Sequence, residues 1–267
     1  MRKAAVAILL APLAAHATLL GGRPVDVSLD GHRGDWLFDV TTISVTILFL
    51  IMVAIMLGAV LFHREKPDDQ RKFGEHDHGT SRSHLLFTAF ISLTIFFGVD
   101  GVLLASSYNS LHEAFWNYPT AAANTVEVEV MAQQWGWNFR YSGPDHKFGT
   151  ADDVVRFNEL AIPKDAPVTV KLRSKDVIHS FYLPNFRTKQ DAIPGYTTKL
   201  WFQATETGNY EIGCAQHCGV NHYRMRGELH IKERHDFDEW LTEATADSAR
   251  RYDPNDKEAQ WGWDWES

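Results

Sequence analysis

Two long apolar runs in the first half of the chain predict two membrane-spanning helices. Residues 40–62 carry no charge and are bounded by charged residues on both sides. A second run, residues 85–107, is interrupted by Asp100 near its far end. Because about 20 apolar residues at ~1.5 Å each cross a hydrocarbon core of ~30 Å, these runs predict a helical transmembrane hairpin over residues 39–109.

A shorter apolar stretch lies at the N-terminus. It follows two basic residues and ends in an Ala-His-Ala motif at Ala17, which resembles a signal-peptidase cleavage site. Residues 1–17 are therefore predicted to be a secretory signal peptide, and residues 18–38 an exported N-terminal segment.

The basic residues between the two long runs predict the orientation of the chain. Five of them lie in the connector formed by residues 63–83, close to the helix ends: Arg64, Lys66, Arg71, Lys72 and Arg82. The positive-inside rule places such a loop in the cytoplasm. The chain is thus expected in a bacterial-type inner membrane, with everything after Tyr108 on the periplasmic face.

The hydropathy pattern of the second half has a period of two. Residues 125–131 alternate strictly between polar and apolar side chains, and parts of 168–172 do the same. Short alternating runs separated by glycine- and proline-containing turns are typical of antiparallel β-sandwiches and barrels. Residues 124–233 are predicted to form one all-β domain, and residues 234–267 a tail that begins with an amphipathic helix.

The charge balance restricts the class of partner. The chain has a formal net charge of −8, carried largely by the exported part. This favours a cationic partner over a polyanion. The sequence contains no basic patch or nucleic-acid motif, so we expect no nucleic-acid binding.

The stretch from Cys214 to Met225 concentrates metal-binding chemistry. It contains the only two cysteines of the chain, Cys214 and Cys218, together with His222 and Met225. Thiolate, imidazole and thioether ligands in combination favour copper. A disulfide would close a very short loop, and a structural zinc site usually contains a second histidine. Copper is the favoured interpretation, with the disulfide and the zinc site as alternatives.

An acidic, glycine-containing loop over residues 143–153 connects two predicted strands. Its carboxylates are suitable ligands for a hard cation, but their spacing does not fit the twelve-residue EF-hand loop. The favoured interpretation is a solvated hairpin, with a cation site as the alternative.

A membrane hairpin followed by a β domain with a C-x3-C-x3-H-x2-M motif resembles subunit II of the haem–copper cytochrome c oxidases. The resemblance extends over residues 35–233. Three further segments match motifs of that family, namely 134–137, 176–181 and 191–195.

The resemblance implies a cupredoxin-like domain that holds two copper ions in a binuclear CuA centre. The implied ligands are two cysteines, two histidines, a methionine and one backbone carbonyl, that of Gln216: His179, Cys214, Gln216, Cys218, His222 and Met225. Trp135 is implied as an exposed residue that receives the electron, with acidic residues around it that steer a basic donor.

The implied function is electron input to a respiratory terminal oxidase. A cytochrome c-type donor reduces CuA, and the electron passes to haem in subunit I, which also holds CuB, reduces oxygen and pumps protons. Subunit III and membrane lipid are further expected partners. The alternative is a standalone membrane-anchored copper protein for electron shuttling or assembly, which explains the copper ligands but leaves the membrane hairpin without a role.

Three positions depart from the family pattern. Gln216 replaces a glutamate whose carboxylate helps to bind magnesium at the boundary with subunit I, which puts that magnesium in doubt here. His217 replaces an aliphatic residue and is interpreted as a polar contact to subunit I. His84 stands where the family has a glutamate associated with proton uptake.

Overall fold

The computed structural model describes residues 22–62, 82–119, 124–251, 253 and 255. The predicted signal peptide, nearly all of the predicted cytoplasmic connector and the tryptophan-rich end of the tail lie outside these residues. The chain divides into a helical unit, Arg33–Asn117, and a second unit formed by the residues before Arg33 and after Asn117. The second unit is called the β unit below.

Two long apolar helices contain the predicted membrane-spanning segments. Helix α1 covers Gly31–Phe62, so it begins before the uncharged run. The second long helix covers Arg82–Trp116, and both are long and apolar enough to cross a membrane. Their side chains are almost all exposed in the chain alone, as expected of surfaces that lipid or partner helices cover.

The second long helix contains two π-helical turns. It consists of α2 (Arg82–Ile95), a π turn at Phe96–Asp100, α3 (Gly101–Leu111) and a second π turn at His112–Trp116. Asp100 therefore lies inside a continuous helix. The helix extends beyond the predicted run 85–107 at both ends, because the polar residues that follow the apolar run are also helical.

Ten strands form the β domain in the part of the chain that the structure describes. They are β1 Val126–Gln133, β2 Gly136–Tyr141, β3 Val154–Phe157, β4 Glu159–Pro163, β5 Pro167–Ser174, β6 His179–Leu183, β7 Thr188–Ala192, β8 Thr198–Gln203, β9 Gly208–Cys214 and β10 Arg226–Lys232. One sheet has the order β3-β2-β1-β5-β8, and the other has the order β4-β10-β9-β6-β7.

The sheets are mixed rather than purely antiparallel. Strand β1 pairs in parallel with β5, and β4 pairs in parallel with β10, whereas the other strand pairs are antiparallel. The prediction of an antiparallel sandwich was wrong for these two pairs. Hydropathy alternation depends on which face of a sheet is buried and not on the direction of the neighbouring strand, so it could not distinguish the two arrangements.

The hydrophobic core lies between the two sheets. Trp137, Phe139 and Phe181 are fully buried there. The ring centroids of Trp137 and Phe181 are 5.3 Å apart in an edge-to-face arrangement. Burial of such large apolar side chains stabilises the domain by ~25 cal/mol per Å² and fixes the strands whose ends carry the candidate site.

The acidic loop covers the outer face of the first sheet. Glu129 and Arg140, which face each other in the β1–β2 register, form a buried ion pair, and Asp153 lies 3.7 Å from the Arg140 guanidinium. The carboxylates of Asp145 and Asp153 accept hydrogen bonds from the Lys147 and Gly149 backbone N–H groups. Hydrogen bonds to its own carboxylates therefore fix the conformation of this loop, which connects the antiparallel strands β2 and β3 as a hairpin.

A short segment before α1, residues 24–29, forms an N-terminal strap on the β domain. The Val27 N–H donates to the Asn185 carbonyl at 3.0 Å, and the Val27 carbonyl accepts from the Thr205 N–H at 2.8 Å. The Val27 side chain is fully buried in the core. At the end of the strap, the Ser28 hydroxyl accepts a hydrogen bond from the Gly31 N–H at 2.8 Å. This N–H belongs to the first turn of α1 and has no hydrogen-bond partner within the helix.

The predicted tail contributes a helix, α4, over Arg234–Arg251. Phe237 and Ala244 are its buried residues. Trp240 contacts the Tyr141 ring with a centroid distance of 5.5 Å, and the Ser248 hydroxyl accepts the Val155 N–H at 3.2 Å. The helix therefore packs on the β domain through its apolar face, as the amphipathic pattern predicts.

Candidate metal centre

Three neighbouring strands of the second sheet bring the candidate ligands together. Strand β6 begins at His179, β9 ends at Cys214, and β10 begins directly after Met225. Because β9 pairs antiparallel with both β6 and β10, the end of β9 lies beside the starts of the other two. The β9–β10 loop then adds Cys218 and His222 at the same end of the sheet.

The two cysteines are free thiols whose sulfur atoms lie 3.8 Å apart. A disulfide bond has a length of about 2.05 Å, so the sulfurs are not bridged. Two sulfurs at about 2.3 Å from one metal ion are separated by a similar distance when the angle at the metal is near tetrahedral. The cysteine pair is therefore placed to share a metal ion.

The side chains of His179, His222 and Met225 surround the sulfurs. His179 and Met225 are buried, and His222 lies at the edge of the loop. Met225 Sδ lies 3.6 Å from Cys218 Sγ, and His222 Nδ1 lies 3.5 Å from the same sulfur. His179 Nδ1 lies 3.1 Å from Met225 Sδ. The ligand atoms of His179, Cys214 and Cys218 all lie within 4.8 Å of one another.

Asp176 fixes the orientation of the His179 ring. Its Oδ1 lies 2.8 Å from His179 Nε2. A carboxylate at this nitrogen favours the tautomer in which Nε2 carries the proton, so the lone pair of Nδ1 points toward the sulfurs. A carboxylate that orients a ligating histidine is common at metal sites, and sequence reasoning had not assigned Asp176 this role.

The cysteines differ in their affinity for protons. Burial raises the pKa of the Cys214 thiol, but its contacts with His179 and with the backbone outweigh this effect and lower the pKa to about 6. Burial and the neighbouring Cys214 charge raise the pKa of Cys218 to about 12. The pair thus favours a single thiolate, and only a cation at the site stabilises the second one.

The backbone carbonyl of Gln216 points to the same cluster. Cys214 Sγ lies 3.2 Å from this carbonyl oxygen, whereas the Gln216 side chain is exposed. The His217 ring is also exposed, and its centroid lies 5.5 Å from that of His222. Position 216 therefore offers a carbonyl to the centre and an amide, not a carboxylate, to its surroundings.

Trp135 contacts the backbone of the cysteine loop. Its indole N–H donates to the Cys218 carbonyl at 3.2 Å, and the Gln134 side-chain amide donates to the same oxygen at 2.8 Å. The Trp135 ring is partly buried rather than fully exposed, and Trp137 is a core residue, as predicted. The Gln134 N–H donates to Asp176 at 2.7 Å, which links the tryptophan turn to the residue that orients His179.

Among the described residues, the turn that carries Trp135 makes one hydrogen bond to a carboxylate, that of Asp176. Residues 133–137, 154–158 and 214–226 contain no aspartate or glutamate. Asp176 is the nearby carboxylate, and it already accepts hydrogen bonds from His179 and from the Gln134 backbone. Steering of a basic donor toward Trp135 by acidic residues stays a prediction.

The donor set fits copper. It combines two thiolates, two imidazoles, a thioether and a carbonyl, and the thioether of Met225 and the ring of His179 are buried. Soft sulfur ligands with imidazole select copper, and no carboxylate is directed into the cluster from the described residues around it. A zinc site would need neither the thioether nor the carbonyl.

Comparison with known proteins agrees with this geometry. The family model of the cytochrome c oxidase subunit II periplasmic domain matches residues 126–230, which include the whole candidate centre. The β domain is therefore similar to the periplasmic domain of cytochrome c oxidase subunit II. The resemblance inferred from the sequence motifs is thereby confirmed.

Individual members of the subunit II family show the extent of the likeness. The alternative cytochrome c oxidase subunit 2 of Bradyrhizobium diazoefficiens is 38% identical over 146 residues, which are 46% of this chain and 53% of that protein. The cytochrome c oxidase subunit 2 of Alkalihalophilus pseudofirmus is 28% identical over 223 residues, which are 81% of this chain and 61% of that protein. The chain thus spans between half and two thirds of the lengths of these two relatives.

A solved structure of a subunit II domain also matches. The periplasmic domain of subunit II of the cytochrome oxidase of Bradyrhizobium japonicum is 28% identical, with a TM-score of 0.43. The match covers 49% of this chain and 98% of that structure.

Proposed function

We propose that this chain is the electron-accepting subunit of a respiratory cytochrome c oxidase, with a binuclear CuA centre in its β domain. The proposed ligands are the two thiolates, the two imidazoles, the thioether and the backbone carbonyl described above: His179, Cys214, Gln216, Cys218, His222 and Met225. The observation that carries the proposal is the convergence of these donors at the ends of three adjacent strands.

Copper bound there supplies a one-electron redox couple, and the protein holds the ligands still. His179 and Cys214 belong to paired strands, and Asp176 fixes the His179 ring from outside the cluster. Ligands fixed in this way change position little between redox states, so little reorganisation accompanies electron transfer.

Trp135 is the proposed electron-input residue. Its hydrogen bond to the Cys218 carbonyl connects an aromatic ring at the surface of the domain to the backbone of a ligand. In the proposal, a cytochrome c-type donor delivers one electron on this side. Copper held by these ligands would pass the electron on to haem in subunit I, where haem and CuB would reduce oxygen and protons would be pumped.

The proposed setting is a bacterial-type inner membrane with the β domain on the periplasmic face. The two apolar helices support membrane anchoring, and curated relatives named cytochrome c oxidase subunit 2 support the assignment to an oxidase. Subunit I, subunit III and membrane lipid are the proposed partners. Exposed His217 is proposed to contact subunit I, and an amide at position 216 argues against a tight magnesium site at that boundary.

Isolation of the native complex tests the proposal. An affinity tag on this chain should retain, from mildly solubilised membranes, a larger subunit that contains haem, and the complex should oxidise a reduced c-type cytochrome with consumption of oxygen. Recovery of the copper-loaded chain without any haem-containing partner would instead support the standalone copper shuttle.

A further inference from the structure

Asp100 is the one charged side chain in the two predicted membrane spans. Residues 40–62 carry no charge, and Asp100 is the single aspartate, glutamate, lysine or arginine in residues 85–107. It lies seven positions before the end of that run, or ~10 Å along a helix with a rise of ~1.5 Å per residue. Because its carboxylate stands on a single methylene group, it cannot extend over this distance to the polar boundary as a lysine or arginine side chain does.

The surroundings of Asp100 on the helix are apolar. Its side chain is exposed in the chain alone. The neighbouring Phe96, Phe97 and Leu104 are all more than half exposed. A surface of this kind is suited to lipid or to another helix, and a carboxylate in contact with lipid tails is strongly unfavourable. The carboxylate therefore needs a polar or charged partner at the same depth.

No opposite charge for Asp100 is available in the apolar segments of this chain. Residues 34–62 and 83–116 contain no lysine or arginine. The histidines of the second long helix, His84 and His112, lie 16 and 12 positions away, which is ~24 and ~18 Å along the helix axis. Within the part of the chain that the structure describes, the Asp100 carboxylate forms no hydrogen bond or ion pair. A counter-charge at this depth must therefore come from another chain.

The backbone at Asp100 departs from the regular α-helix. Asp100 ends the π turn that starts at Phe96, and the Gly101 N–H donates to the Phe96 carbonyl. Inside the turn, no atom lies within 4 Å of the place that a Cβ at Gly98 would occupy. π turns within α-helices are frequent at functional sites, and glycine allows a neighbouring helix to approach closely. The local shape thus gives another helix access to the carboxylate.

We propose that Asp100 forms an ion pair, within the membrane, with a lysine or arginine side chain on a transmembrane helix of the haem-containing subunit. This rests on the proposed function, because a chain that passes electrons to that subunit lies beside it. The pair is an assembly contact in which each charge neutralises the other, so that neither is left alone in an apolar surrounding. No proton or electron is transferred in this contact.

The amount of haem retained per tagged chain measures the contact. The full chain carries an affinity tag and is isolated from mildly solubilised native membranes at ~20 and ~300 mM KCl. The wild type should retain the haem-containing subunit equally at both concentrations, because salt screens a buried pair only weakly. Asp100→Asn keeps the shape of the side chain and removes its charge, and it should lower the retained haem about tenfold. Its copper spectrum should equal that of the wild type, because the metal centre belongs to the β unit.

Three further variants separate the ion pair from other effects. Asp100→Glu keeps the carboxylate and should retain haem to within about twofold of the wild type. Glu113→Gln makes the same change of charge in the same helix, beyond the apolar run, and should also retain it. Asp100→Leu should lose haem as Asp100→Asn does, although an apolar residue favours insertion into the membrane. Equal amounts of each variant in the membrane then exclude failed insertion as the cause.

Three results would overturn the ion pair. One is haem retention by Asp100→Asn equal to that of the wild type. Another is an equal loss in Asp100→Glu and Asp100→Asn, which would show that the size of the side chain matters and its charge does not. The third is a steep loss of haem from the wild type at high salt, because the pair would then lie in water. A wild-type chain that is loaded with copper but retains no haem at either concentration would instead contradict the oxidase assignment, so the two failures are distinct.

Discussion

Asp176 Oδ1 lies 2.8 Å from His179 Nε2, and this contact fixes which nitrogen of the ring faces the sulfur cluster. Partial burial raises the pKa of Asp176, but hydrogen bonds from His179 and from the Gln134 and Val177 backbone outweigh it and lower the pKa below its usual value. The carboxylate therefore stays charged at neutral pH. The same residue links the metal centre to the turn that carries Trp135.

Asp176→Ala should weaken copper binding by about 10–100-fold, the usual cost of removing a group that orients a metal-binding histidine. Competition with a copper chelator of known affinity measures the loss. Glu206→Ala, which removes an exposed carboxylate outside the cysteine loop, serves as the control. Equal copper affinity in the two variants would show that the strand alone fixes His179.

Trp135→Phe removes the indole N–H that contacts the Cys218 carbonyl and keeps an aromatic ring. Reduction of the copper centre by a reduced c-type cytochrome should slow, while the copper absorption spectrum stays the same, because Trp135 contacts a ligand only through its carbonyl. Trp201→Phe, on β8, is the control. If both variants are reduced at the wild-type rate, Trp135 is not on the electron path.

Gln216→Ala should retain all bound copper, because only the backbone carbonyl at this position faces the cysteines. Gln216→Glu should raise the affinity of the assembled oxidase for manganese, used as a probe of the magnesium position, since a carboxylate binds hard cations better than an amide. Manganese paramagnetic resonance on wild type and variant makes the comparison. Equally tight manganese in both would mean that other ligands complete that site.

The N-terminal strap should contribute measurably to the stability of the β domain. Val27→Ala removes buried apolar volume at a fully covered position and should lower the free energy of unfolding by roughly 1–3 kcal/mol. Val25→Ala, two positions earlier and exposed, should change it by less than about 0.5 kcal/mol. Denaturant titration of the full chain in detergent, followed by the β-sheet signal, tests this. A similar loss in both would mean that the strap acts through its backbone alone.

The parts of this molecule that depend on local sequence were predictable. The membrane helices follow from uncharged runs, and Cys214, Cys218, His222 and Met225 lie within one loop, so their spacing alone indicated a common site. His179 lies far from that loop in the sequence and was assigned only through the family motif around it. The β6–β9 pairing explains its position.

Features that depend on distant contacts were not predictable from the pattern. The parallel β1–β5 pairing produces the same alternation as an antiparallel pair. The short apolar–polar alternation of the strap does not show that Val27, and not Val25 or Leu29, is buried on the β domain. Net charge suggested a basic partner at Trp135. Which carboxylates lie near this ring depends on the fold, and the Gln134 N–H donates to one of them, Asp176.

The number of copper ions per chain tests the central claim most directly. The full chain, purified and loaded with copper, should bind two ions per chain by metal analysis. Its paramagnetic resonance spectrum should show one unpaired electron shared between two equivalent copper nuclei, because Cys214 and Cys218, 3.8 Å apart, can bridge a pair of ions. Cys218→Ser should abolish this signal. A single tightly bound copper with the spectrum of a mononuclear blue site in the wild type would contradict the account.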